Sequence, residues 1–128
     1  MQKTFVRGTW QQKRAFSPAV IITGTSKTIY VAGHTGQKAG DGSPLTDFAA
    51  QCRQTFRNIE VTLAEAGAKL SDLVTMTVFL TDVRHTTPMT EIRDEIFGKD
   101  FPASAALTVT GFAQPEILIE IQGIAVIP

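Results

Sequence analysis

TDFAAQCRQTFRNIEVTLAEAGAKLSDLVTMTVFLTD, residues 46–82, decides the fold by a change of period. Phe48, Cys52, Phe56, Ile59, Leu63 and Ala66 recur at spacings of three and four, which is one face of a 3.6-residue repeat. Gln51, Arg53, Gln54, Arg57, Asn58 and Glu65 fall opposite. The spacing therefore predicts an amphipathic helix of about six turns lying on a sheet and stopped by Gly67. Cys52, inside the apolar stripe, reads as a small buried residue. From Leu73 the pattern changes to LVTMTVFLTD (73–82), apolar or β-branched almost throughout, as in a strand covered on both faces.

Upstream, AVIITG (19–24) and KTIYVAG (27–33) are rich in β-branched residues and separated by Thr25 and Ser26, which predicts a β-hairpin. KTFVRG (3–8) reads as a short strand before it, and QKAGDGSPLT (37–46) as turn chemistry. Downstream, Thr87-Pro88 fits an N-cap followed by proline at the first helical position. Met89, Ile92, Ile96 and Phe97 then line a short helix ended by Gly98. AALTVTGF (105–112) and ILIEIQGIAVI (117–127) read as the last two strands. The order predicts one α+β domain over residues 1–128, a mixed sheet with two helices on one face. Thr108, Thr110, Glu120 and Gln122 alternate with apolar residues, so the other face is expected to be covered in a closed homo-oligomer.

Twelve Lys and Arg balance twelve Asp and Glu, with no run of one sign longer than two residues. A duplex- or RNA-binding surface needs clustered cations, so nucleic acid is not the expected partner. The single Cys52 permits no intramolecular disulfide. The N-terminus lacks the apolar core of a signal peptide and no run approaches the ~18 apolar residues of a membrane span, so the cytoplasm is the expected location.

Phosphate-cradling, zincin, serine-elbow and paired-cysteine motifs are missing, and no metal or other cofactor is expected. Isolated polar residues remain. His34 follows Gly33 at a strand end, where an imidazole can reach a ligand. His85 lies in the TDVRHTTP link and reads as exposed. Glu120 sits mid-strand, and a carboxylate desolvated in a cleft would suit acid–base work. Ser104 has no base in its own segment, so a lone hydroxyl there reads as a hydrogen-bonding group, although Ser104, His34 and Glu120 could together assemble a triad.

AQCRQTFRN (50–58), EAGAKLSDLVTMTVFLTD (65–82), FPAS (101–104) and IEIQGIAV (119–126), taken in order, resemble the RidA/YjgF family, also called reactive intermediate deaminase or L-PSP endoribonuclease. The resemblance implies a chorismate-mutase-like α+β fold, a homotrimer around a sheet-lined barrel, and small-molecule clefts between subunits where imines or enamines are hydrolysed. It also assigns residues. Glu120 matches the carboxylate that positions the attacking water, Gly33 and His34 match a substrate-contacting Gly-Gln pair, and Ala19, Thr86, Thr90 and Ala106 fall at cleft positions. Ser104 stands where the family carries the arginine of F-P-A-R-S, whose planar fork holds a substrate carboxylate.

The resemblance therefore does not imply general 2-imino-acid deaminase activity. It leaves a specialised C–N hydrolase, with Glu120 and Ser104 as the catalytic pair, or a non-catalytic ligand-binding or chaperone-like trimer. Arg14 and Arg84 are the candidates to replace the missing fork.

Overall fold

The computed structural model describes residues 1–128. Helix α1 spans Phe48–Glu65, one turn shorter than the period suggests, because the Asp47 side chain accepts a bond from Ala50 N at 3.0 Å and fixes its start. Gly67, at φ +77°, supplies the left-handed exit. Phe48, Cys52, Phe56, Ile59 and Leu63 are buried as the period predicts, whereas Ala66 caps the helix end and stays exposed.

Two residues assigned to the polar face are buried. Gln51 is 0% exposed; its Nε2 donates to the Leu45 carbonyl (2.8 Å) and the Glu116 carbonyl (2.9 Å), and its Oε1 accepts from Leu118 N (2.9 Å). It clamps the segments that enter α1 and the last strand. Gln54 donates to Asn58 Oδ1, and Asn58 donates onward to the Thr35 carbonyl, each at 2.8 Å.

The strands are β1 (Gln2–Val6), β2 (Ala19–Thr23), β3 (Lys27–His34), β4 (Leu73–Leu80), β5 (Ala103–Thr108) and β6 (Ile119–Ile127). The expected hairpin between β2 and β3 does not form. β2 pairs antiparallel with β1, from Gln2 opposite Thr23 to Val6 opposite Ala19, while β3 pairs antiparallel with β6. The turn at Gly24–Ser26 passes the chain from a two-stranded ribbon to a four-stranded sheet of order β3-β6-β4-β5. β4 runs parallel to β5 and antiparallel to β6, so the sheet is mixed.

β5 begins at Ala103, not 105, and ends at Thr108, because its ladder runs only as long as β4 from Thr75 to Leu80. Ser104 thus lies inside the strand. Helix α2 spans Thr86–Phe97 and starts ahead of the expected cap, which places Pro88 third in the first turn, where its missing N–H deprives no bond. The core is one cluster of 16 buried residues, in which Met89 and Ile92 of α2 join the α1 stripe over β4 and β6, so both helices lie on one face.

Register fixes which side chains share a face, since laterally paired residues point the same way. Ser104 pairs with Met76, Ala106 with Val78, and Val78 with Ile121; Met76, Val78 and Ile121 are buried under the helices. Glu120 pairs with Phe79, and Gln122 with Thr77, on the opposite, uncovered face. Thr108, expected to share the face of Glu120, pairs with Leu80 on the helix side, and Thr110 lies beyond the strand. Tyr30 is 79% and Leu107 43% exposed on the open face.

Candidate functional site

A cleft of about 600 Å³ opens at the β5 edge of the sheet. The segment before β2 contributes Lys13, Arg14 and Phe16; the first turns of α2 contribute Thr86, Thr87, Thr90, Glu91 and Arg93; β5 contributes Ser104 and Ala106. Five of the residues singled out in the sequence (Arg14, Thr86, Thr90, Ser104 and Ala106) therefore meet in one place. The Thr90 hydroxyl donates to the Thr86 carbonyl at 2.9 Å, which leaves its oxygen free to accept.

The floor of the cleft is Arg93, which the sequence reading passed over. It is 3% exposed, on the same side of α2 as Met89 and Ile92. Its Nη1 donates to Ser104 Oγ at 2.8 Å and approaches Met76 Sδ at 3.8 Å, and its Nη2 donates to the Arg14 carbonyl at 3.1 Å. Every one of these acceptors is neutral. No carboxylate lies within salt-bridge distance, and Nε is buried without a partner. Burial holds the Arg93 pKa down at about 10. An ion enclosed without a counter-ion costs several kcal/mol relative to a paired one. The sequence does carry a signal for it: in Met89, Ile92, Arg93, Ile96 and Phe97 a cation stands on an otherwise apolar helical stripe.

The other sequence candidates lie elsewhere. Glu120 is half-buried on the open face beside Gly33, where an added Cβ would stand 2.9 Å from the Glu120 Cδ. The bulge between Val31 and His34 turns His34 to the helix side; its Nδ1 bonds the Ala32 carbonyl and its Nε2 the Thr62 hydroxyl of α1, each at 2.7 Å. Ser104, His34 and Glu120 therefore do not form a triad in one copy.

Ala19 is exposed on the ribbon opposite Val6 and does not line the cleft. Arg84, 86% exposed, is engaged by Asp82, with Nε 3.0 Å from Oδ1 and Nη2 2.6 Å from Oδ2; these bonds hold the Asp82 carboxyl down at about 2. Arg84 does not line the cleft, whereas Arg14 does, and the Arg14 carbonyl accepts from Arg93 Nη2. His85, expected to be exposed, is half-buried and stacks on Phe48 with ring centres 4.1 Å apart.

Comparison with known proteins agrees with this architecture. The family model described as Endoribonuclease L-PSP matches residues 10–127. A RutC family protein of Pyrococcus abyssi is 36% identical over 98 residues, 76% of each chain. The human 2-iminobutanoate/2-iminopropanoate deaminase is 30% identical over 112 residues, 87% of this chain and 79% of that one. Among solved structures, the Rid family protein YyfB of Yersinia pestis superposes with a TM-score of 0.87 at 24% identity, covering 99% of this chain and all (100%) of that one, which is a likeness of fold.

Proposed function

The chain belongs to the RidA/YjgF family, and from that premise we propose that it hydrolyses the C–N bond of an imine or enamine in a cleft completed by a neighbouring copy. One observation carries the reading. The cleft of Arg93 and Ser104 lies at the β5 edge toward the helices, whereas Glu120 lies on the open face of the same sheet. A single copy holds the two halves of a site apart. The uncovered face with Tyr30 and Leu107 supports association of copies, as a homotrimer in which Glu120 of one meets the cleft of the next.

The chemistry needs few parts. Water adds to the imine carbon as the Glu120 carboxylate takes one of its protons, and that proton passes to nitrogen. Collapse of the tetrahedral adduct releases ammonia and leaves a carbonyl compound. An enamine enters the same path after protonation at carbon. Positioning and a local base suffice for such a step. A human relative that carries the name of an imine deaminase supports the reaction class. The balanced surface charge speaks against RNA as the substrate.

Imines generated in situ by an amino-acid oxidase, 2-iminopropanoate and 2-iminobutanoate among them, test the reading through the rate of ammonia release. The protein should speed hydrolysis above the spontaneous rate, and Glu120→Ala should remove the acceleration. Ligand-induced stabilisation of about 2.7 kcal/mol at a hundredfold excess over Kd, without turnover of any imine, would establish the non-catalytic binder instead.

A further inference from the structure

We propose that Arg93, carried by α2, binds the carboxylate of the substrate, supplying from the helix the fork that Ser104 cannot supply from β5. The inference rests on the site being an imine-hydrolysing one and names its substrate class as small acids that carry the C=N function. Ser104 by itself suggested the opposite, a ligand without a carboxylate.

Three observations lead here. Arg93 is 97% buried, from its 3% exposure, yet it lines an open cleft rather than the closed core. All its partners are uncharged: a hydroxyl, a carbonyl and a thioether sulfur, engaging three of the five N–H donors of a guanidinium. A tie between α2, β5 and the Arg14 segment needs donors but no charge, and a neutral amide would serve it without the desolvation of an ion. The charge is explained by a ligand that brings the counter-ion.

The surroundings agree in sign. Lys13 and Arg14 also line the cleft against the single acidic Glu91, which makes no bond to Arg93. The identity of residue 104 follows as well. Its Oγ stands 2.8 Å from Arg93 Nη1, so an arginine rooted at 104 would set a second guanidinium against the first. Ser104 accepts from the fork and leaves the anion's place open.

Binding of pyruvate and 2-oxobutanoate to the full chain tests this, with pyruvamide as the uncharged analogue and inorganic phosphate as the competing oxyanion. Pyruvate should bind and raise the melting temperature, while pyruvamide and phosphate should not. Arg93→Lys keeps the charge and loses the fork, and should weaken pyruvate roughly tenfold or more. It should raise KM for 2-iminobutanoate more than it lowers kcat.

Arg93→Met should abolish pyruvate binding, so that added pyruvate no longer raises the melting temperature. Equal binding of pyruvate and pyruvamide, binding of phosphate alone, or undiminished pyruvate affinity in Arg93→Lys would overturn the assignment, and the lysine variant decides the matter if the methionine variant does not fold. Imine turnover unchanged by Arg93→Lys would remove Arg93 and keep the hydrolase. Pyruvate bound without turnover of any imine would keep Arg93 and remove the hydrolase.

Discussion

At the scale of single residues, Gly33 and Glu120 form a close contact outside the cleft. A methyl at residue 33 would stand 2.9 Å from the Glu120 carboxyl, the free end of a flexible side chain, so that group moves and the backbone does not. Gly33→Ala should therefore cut imine hydrolysis by on the order of tenfold while leaving the melting temperature nearly unchanged, because small misplacements of a reacting group are costly to rate. Equal losses of stability and activity would place Gly33 in the fold alone.

Gln51 is the converse case. It satisfies two carbonyls and one N–H in the interior, so Gln51→Leu should destabilise by about 2–4 kcal/mol in denaturant unfolding through the groups it orphans. Cys52, 0% exposed and with its thiol pKa pushed up to about 12 by burial, should react with alkylating reagents only as the protein unfolds. Periodicity reads Cys52 correctly but not Gln51 or Arg93. A polar side chain on an apolar stripe is visible in sequence, whereas the partner that makes it tolerable comes from a distant segment.

At the scale of elements, the helix stripes, the strand segments and their order were legible because each follows a local period. Which strands pair was not. β2 and β3 adjoin in sequence and match in composition, yet each finds its partner elsewhere, in β1 and β6. Local turn chemistry at Gly24–Ser26 is the same for a hairpin and for a passage between sheets.

One loop contact sets how closely β3's exit approaches α1. An added Cβ on Gly36 would stand 2.6 Å from the amide nitrogen of Thr55, a backbone atom that cannot step aside. Gly36→Ala should destabilise by about 1–3 kcal/mol or more, seen as a lower melting temperature with activity retained in the fraction still folded. A melting temperature equal to that of the unchanged protein would show that the loop relaxes away from the helix.

At the scale of the whole molecule, the alternation of β6 gave away the open face, and register then assigned Glu120 to it and Ser104 to the other side. The sequence could not reveal that the two are held apart, since that depends on the parity of the β4–β5 and β4–β6 ladders together. Tyr30, 79% exposed on this face, is the test of its use. Light scattering should give a trimer for the unchanged chain, and Tyr30→Glu should shift it toward monomer with loss of activity, because a charge would be buried at the interface.

The proposal that two copies share the site has a sharper test in mixed assemblies. Glu120→Ala removes the carboxylate half and Ala106→Trp fills the cleft half, and each alone should leave little imine hydrolysis. After the two proteins are unfolded and refolded together in equal amounts, about a quarter of the sites should combine an open cleft from one parent with Glu120 from the other, and activity should return to that fraction. A mixture that stays as inactive as its parents, though assembled to the same size, would contradict a site built from two copies.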